Sequence, residues 1–519
     1  MRAVLQRPTK IDSDMWVDEA IWGHRLYDEQ TPWLCFMEFL NVLNAEMHVD
    51  RAFKESYPNS LSYSPQQRLY LRNILFNNPR MGVIERQYKN DDRAQWEYWK
   101  ETMAADSAGI QNPDFTYLQS RFSSFENFID VVEFLSSSTI EGENNKRWSS
   151  LFIFPFGPDC LYEDLNVKGT NISQDRRFFA RTGELLYLML ARSGKGEELL
   201  RYFQARILKK DSKFNRLVSA LQPSEELVHS TSTKREGAYL PYLDLPEYKA
   251  IAEDWIRLFK CNIPTYDVIP HLINVMGIHM LLYSLNRAKE VLGQTGKATF
   301  VLEIVAPKKT VVRELSADSF YENNHMSRSA VERYIRQVSE TDEWQAAINS
   351  NEPLEYREIL KKKFEWPKKN KEDEYDHIDS PQDLLNTLLE NAINRHNQHL
   401  NKFHNVWSRE IGLSSRRGSR RYRYAPQDLL IKSLVLCVVP SRMEFQDFLE
   451  ELYRKYGFII GDKQASFYIN SGRADQEAFS ENASRLEQRL ASMGLLKRLS
   501  DACAYVENPF ASREELDNE

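Results

Sequence analysis

The segment Asp475–Gly494, DQEAFSENASRLEQRLASMG, decides the reading of the C-terminal part of the chain. Its apolar residues Phe479, Ala483, Leu486, Leu490 and Met493 fall at offsets 0, 4, 7, 11 and 14. A helix turns once in about 3.6 residues, so these positions form a single stripe that must face a core. Gly494 supplies a residue free to take the left-handed backbone that ends many helices. Beyond it, Leu495–Leu499 (LLKRL) and Cys503–Val506 (CAYV) flank Ser500-Asp501-Ala502, which predicts a short hairpin. Upstream, Pro426 opens a helix through Leu429, Leu430, Leu434 and Leu436. Ser441 and Glu444 have the spacing of a capping box, ahead of a helix carrying Phe445, Phe448, Leu449, Leu452 and Tyr456 up to Gly457. Phe467-Tyr468-Ile469 reads as a strand.

A long helix, a glycine and a hairpin follow the general plan of a recognition helix and wing, so residues 425–510 read as a winged-helix-like module. Directly before it stands Arg416-Arg417-Gly418-Ser419-Arg420-Arg421-Tyr422-Arg423-Tyr424. Guanidinium groups neutralise phosphates and tyrosine rings stack on bases, so Arg416, Arg417, Arg420, Arg421, Tyr422 and Arg423 are candidate nucleic-acid contacts. A solvated basic loop is the plainer alternative. The long helix itself carries Arg485 and Arg489 but also Glu477, Glu481 and Glu487, which suits a protein partner as well as DNA or RNA.

A second dense segment lies at Trp22–Trp33, WGHRLYDEQTPW. Thr31 and Pro32 suit the start of a helix whose first turns, Trp33–Leu40, are apolar nearly all round and therefore buried. His24, Arg25, Asp28 and Glu29 sit among the aromatics just before it. They are candidates for a pocket or partner interface; the alternative is that these charges simply pair with one another.

The 519 residues exceed one hydrophobic core, and 19 glycines and 20 prolines are too few for a turn-rich β architecture. A mostly α, multidomain chain with a minor β component is expected. Its divisions are a helical region at 1–140, a helical domain with short strands at 141–360, a charged linker at 361–381, a helix and basic segment at 382–424, and the module at 425–510. Strands are expected at Leu151–Phe154, at Ala298–Val305 and at Thr310–Val312. Val268–Leu285, interrupted by polar residues, reads as a buried core helix rather than a membrane span. Five scattered cysteines without a CxxC pair fit reduced thiols. The N-terminal sequence lacks a signal-like apolar run, so a cytoplasmic protein without membrane contact is expected.

Catalytic motifs fail on spacing. Gly293-Gln294-Thr295-Gly296-Lys297-Ala298 has a displaced first glycine, and Ala298 stands where a magnesium-binding hydroxyl is needed. A nuclease site would draw on Asp159, Glu163, Asp164 and Lys168 or on Glu303, but the E-x-K element is broken by Asn166 in one place and Val305 in the other. His396, His399 and His404 on one helix lack HExxH, and read as a polar face. No metal or other cofactor is called for.

The segment Trp22–Leu43, with the helical body and winged-helix-like end, resembles uncharacterised proteins encoded in bacterial phage-defence islands, Druantia-type clusters in particular. The resemblance is one of general character, and it carries no functional residue. Taken with the residues, it implies a non-enzymatic component of a multi-protein, nucleic-acid-associated antiviral defence system, partnered by other proteins of that system. The rivals are a metal-dependent nuclease subunit and a protein-binding scaffold.

Overall fold

The computed structural model describes residues 4–7, 15–24, 26–54, 61–78, 80–140, 151–168, 171–174, 179–224, 234–306, 310–350, 353–368, 375, 377–378, 380–417, 420–500 and 503–511. The chain is mostly α-helical with short strands, and it divides into two compact units.

One unit comprises 33–191 and 196–238. Its centre is α1 (Pro32–His48), whose Leu34, Cys35, Phe36, Met37, Phe39 and Leu40 are all buried, as an all-round apolar helix requires. Against it lies α2 (Thr182–Ala191), every residue of which is buried. The approach is close: a Cβ on Gly183 would stand 2.6 Å from the backbone nitrogen of Phe39 and 2.8 Å from the carbonyl oxygen of Cys35. The Glu38 carboxylate accepts the backbone N–H groups of Arg181 (3.1 Å) and Gly183 (2.8 Å), so a buried anion takes the cap position where the α2 dipole is positive. Arg235 balances it, 3.3 Å from Glu38 and 2.9 Å from Glu163. A satellite aromatic core joins Trp96 and Trp99 of helix Asp92–Asp106 to Phe125 and Phe128 of helix Phe125–Ser137, with Trp99 4.8 Å from Phe128 between ring centroids. Two antiparallel pairs complete the unit: β1 (Thr139–Ile140) with β2 (Phe152–Ile153), and β3 (Leu165–Lys168) with β4 (Asn171–Gln174). The expected strand at Leu151–Phe154 is thus present as β2.

The other unit comprises 1–32, 192–195 and 239–519. It is built around α4 (Val268–Val291), flanked by α3 (Pro246–Lys260), α5 (Val311–Arg336) and α8 (Asp428–Val438). By length and apolarity α4 could cross a membrane, but 94% of its apolar window is buried, so it is the core helix of this unit. Gly277 admits Ile411, which would stand 2.4 Å from an added Cβ. α6 (Pro381–Gln398) and α7 (Leu400–Glu410) pack on α5. The single helix expected to carry His396, His399 and His404 is broken at His399, whose backbone (φ −140°, ψ −58°) leaves the helical region.

Other expectations yield to local competition. β5 is only Phe300–Val301, paired in parallel with β9 (Phe458–Ile459). Thr310–Val312 is not a strand: the Thr310 hydroxyl accepts the Arg313 N–H and starts α5, a cap outweighing the β preference of two valines. Residues 361–381 lie in this unit, with Lys361–Lys363 on the last turn of helix Pro353–Phe364 and Phe364 and Trp366 buried; 369–374, 376 and 379 are outside the described residues.

The C-terminal part runs α8, β8 (Arg442–Glu444), α9 (Phe445–Tyr456), β9, α10 (Ser466–Asn470), α11 (Gln476–Ser492), β10 (Leu496–Ser500) and β11 (Cys503–Glu507). β10, β11 and β8 form an antiparallel sheet in that order. The hairpin and the long helix match the sequence pattern. Phe467-Tyr468-Ile469, expected as a strand, is the middle of α10, because the polar residues around it leave no alternating face to pair. The α9 cap is Glu444 itself, which accepts the N–H groups of Gln446 and Asp447, and not a Ser441 capping box.

Candidate nucleic-acid interface

The arginine run is the tip of a hairpin between β6 (Ser414–Ser415) and β7 (Arg423–Tyr424). The register follows from Tyr424, a buried ring whose backbone N–H is held by the Ser316 hydroxyl at 2.9 Å. The Tyr424 phenol lies 2.7 Å from His404 Nε2 and accepts from Asn323 at 3.0 Å. Burial pushes the His404 imidazole down to about 3, so this ring is neutral.

Both residues of β7, Arg423 and Tyr424, are buried. Arg416, Arg417, Arg420 and Arg421 are exposed, while 418 and 419 lie outside the described residues. Among the described residues no carboxylate pairs with Arg416, Arg417 or Arg420. Tyr422 stacks on Phe320 with ring centroids 5.5 Å apart, and the Arg416 guanidinium lies over the Tyr422 ring at 5.5 Å. Arg423 differs from the rest: it is 3% exposed, bonded to the Glu303 carboxylate and to the Arg417 carbonyl at 3.1 Å. Its charge is spent inside, where it sets the course of the loop.

One carboxylate extends this surface to the helical part of the module. Asp318 of α5 lies 2.7 Å from Arg421 and 3.9 Å from Arg473, in the turn between α10 and α11. The Arg473 guanidinium also covers Tyr468 at 5.3 Å, and Phe467 beside it is 68% exposed. Arginines and aromatic rings therefore run from the hairpin tip to the N-terminal end of α11. Along α11 the arginines are engaged: Arg485 with Glu481 (2.5 Å), and Arg489 with Asp428 (2.7 Å). Arg498 of β10 meets Glu487 at 2.7 Å.

α11 is fixed from beneath by Asn482, a residue the stripe left unassigned. It is fully buried, donates to the carbonyls of Leu302 and Ile460 (both 2.9 Å), and accepts the Ile304 N–H at 2.8 Å. It thus serves the free ends of β5 and β9 at once. An asparagine three residues after Phe479 and four before Leu486, on the edge of the stripe, was the available signal.

His24 and Asp28 meet distant segments of their own unit. His24 Nε2 accepts the Tyr239 backbone N–H at 2.7 Å, while the His24 backbone N–H donates to the Tyr239 carbonyl at 3.1 Å. Asp28 Oδ1 lies 2.8 Å from His399 Nδ1, whose ring packs on Tyr27. Glu29 is partly exposed, and Arg25 lies outside the described residues. Two turns earlier, Asp18 meets His396 at 3.1 Å and Glu19 holds Arg395.

Three of the carboxylates considered for a nuclease are engaged with cations or amides. Glu303 is shared by Arg313 and Arg423, Asp159 receives Asn215 Nδ2 at 2.8 Å, and Glu163 pairs with Arg235. Among the described residues, no group of three or more His, Cys, Asp or Glu side chains is placed to hold a metal ion.

No curated protein and no solved structure matches the chain. Residues 340–507, about a third of the chain and including the arginine hairpin and nearly all of the C-terminal module, match the family of the methylation-associated defense system protein MAD7.

Proposed function

We propose that this chain is a non-enzymatic component of a bacterial antiviral defence system that contacts nucleic acid through its C-terminal region. The observation that carries the reading is the Asp318 bridge, which puts Arg421 and Arg473 on one surface with Arg416, Arg417, Arg420, Tyr422 and Tyr468. Exposed guanidinium groups among aromatic rings suit phosphate contact with base stacking. The order helix, strand, helix, strand, helix, helix, hairpin supports a winged-helix module, with α11 as the helix presented to the partner and β10–β11 as the wing. The similarity to a methylation-associated defence protein supports the defence role; the Druantia-type assignment rests on general sequence character alone. The chain acts in the cytoplasm beside other proteins of its system.

A scaffold reading has one observation in its favour. The arginines of α11 are paired with carboxylates, and Phe467 is exposed nearby, which suits a protein partner. A mobility-shift assay separates the two. Wild-type protein is expected to shift both single-stranded and duplex oligonucleotides at low salt, and Arg416→Ala/Arg417→Ala/Arg420→Ala to lose most of the shift. No shift by folded wild-type protein would leave the scaffold reading in its place.

A further inference from the structure

α10 is a five-residue helix between β9 and α11, and none of its residues is fully buried. Its Tyr468 and Ile469 pack against the core cluster that includes Val301, Ile459 and Phe479. Three consecutive helical residues span about 200°, so a helix holding the second and third against a core turns the first away. Phe467 is that first residue, and it is 68% exposed. Its ring meets Tyr468 edge to face, with centroids 5.4 Å apart.

Single exposed rings are common on protein surfaces. This one ends a continuous series of rings and cations. The Arg473 guanidinium covers Tyr468 at 5.3 Å, and Asp318 lies between Arg473 (3.9 Å) and Arg421 (2.7 Å). Glu314 adds a second, longer contact to Arg421 at 3.8 Å. The two arginine side chains nevertheless stay 42% and 50% exposed, so N–H groups of each remain in solvent. Beyond Arg421, the Arg416 guanidinium lies over Tyr422. Tyr468 and Tyr422 are thus already covered on one side, by Arg473 and by Arg416 with Phe320, whereas Phe467 keeps a free ring surface.

The free ring separates the ligands. A duplex presents its phosphates and hides the faces of its bases, so it can use the guanidinium groups but not Phe467. An unpaired strand offers phosphates and a π-face on every base. A protein partner would call for a contiguous apolar patch, but the residues one turn to either side of Phe467, namely Lys463, Asn470 and Ser471, are polar and exposed.

We propose that this surface takes single-stranded nucleic acid, with an unpaired base stacked on Phe467 and the adjoining phosphates on Arg473 and Arg421. The proposal rests on the reading of the arginine surface as a nucleic-acid site. Fluorescence anisotropy of the full chain tests it with three labelled ligands: an oligothymidylate of about 15 nucleotides, an abasic strand of the same length, and a duplex of the same length. The abasic strand keeps the phosphates and removes every base. Oligothymidylate is expected to bind roughly fivefold to a hundredfold tighter than the abasic strand, the range that one base on one aromatic ring supplies. Phe467→Ala should remove that difference by weakening oligothymidylate alone, with the abasic strand and the duplex held as by wild type. Phe467→Trp should keep the difference. Arg473→Ala should weaken all three ligands, since phosphate is common to them. Equal wild-type affinity for oligothymidylate and the abasic strand would overturn the stacking proposal and leave the arginines as a phosphate site. So would a folded Phe467→Ala that keeps the difference or weakens all three ligands alike. Failure of the wild type to bind any of the three at low salt would overturn the arginine reading as well, and would give Phe467 to a protein partner.

Discussion

Replacing Asn482 by alanine removes one side chain and orphans three backbone groups. Its amide donates to Leu302 and Ile460 and accepts from Ile304, and all three bonds are buried. A stranded buried polar group costs about 1–3 kcal/mol, and a carbonyl keeps a second lone pair that other donors can reach. Taking the lower half of that range for each gives a loss of about 3–6 kcal/mol. Domains are stable by only about 5–15 kcal/mol, so the variant should fold but open easily. Since about 1.4 kcal/mol is tenfold, peptides covering α11 and residues 300–306 should exchange amide hydrogens at least a hundredfold faster. Hydrogen exchange read by mass spectrometry reports this locally, without assuming that the two units unfold together. Asn482→Asp should be no better: it keeps the acceptor for Ile304 but turns a carboxylate oxygen towards two carbonyls. A loss under about 1 kcal/mol with unchanged protection of residues 300–306 would refute the claim that Asn482 joins α11 to the β5–β9 pair.

Gly183→Ala should cost about 1–3 kcal/mol by urea denaturation, because its Cβ meets the α1 backbone at 2.6 Å and forces α2 outward; an unchanged midpoint would mean that the two helices are not in close contact. Burial lowers His404 to about 3 and His271 to about 4, against roughly 6.5 when unfolded. The unfolded chain then binds more protons, so stability falls as pH drops below about 6.5, and between pH 7 and 5 these two rings account for a loss of about 3–4 kcal/mol. Chemical denaturation at the two pH values checks this, and His404→Phe should remove about half of the slope. Asp28→Ala breaks the 2.8 Å contact with His399 at a partly exposed site and should cost roughly 1 kcal/mol; a much larger effect on defence in cells than on thermal stability would mark the segment as a partner interface.

The sequence makes contiguous features legible and leaves remote pairings dark. The stripe Phe479, Ala483, Leu486 and Leu490 faces the core because four positions on one helix suffice to define a face. α4 reads as a core helix because its polar residues are too few to make a wet side. By contrast, Glu38 and Arg235 stand 197 positions apart, and nothing local to either predicts that they meet in a buried pair. The same holds for Asp318, whose carboxylate joins Arg421 to Arg473 across separate segments. Arg423 looked equivalent to its neighbours in the run, since the carboxylate that engages it inside, Glu303, lies 120 positions away in sequence. Thr310-Val311-Val312 misleads for a different reason: strand propensity and a helix cap compete over the same three residues, and the cap prevails.

The central claim is that Arg416, Arg417, Arg420, Arg421 and Arg473 form one phosphate-binding surface. Its most direct test is the salt dependence of duplex-DNA affinity, measured by fluorescence anisotropy on the full chain between about 50 and 200 mM salt. Each phosphate contact contributes about 0.9 to the log–log slope, so five contacts predict a slope of about −4.5. The variant Arg416→Ala/Arg417→Ala/Arg420→Ala should have a slope nearer −1.8, with its helices intact by circular dichroism. A wild-type slope near zero, or a variant whose slope equals that of wild type, would contradict the account.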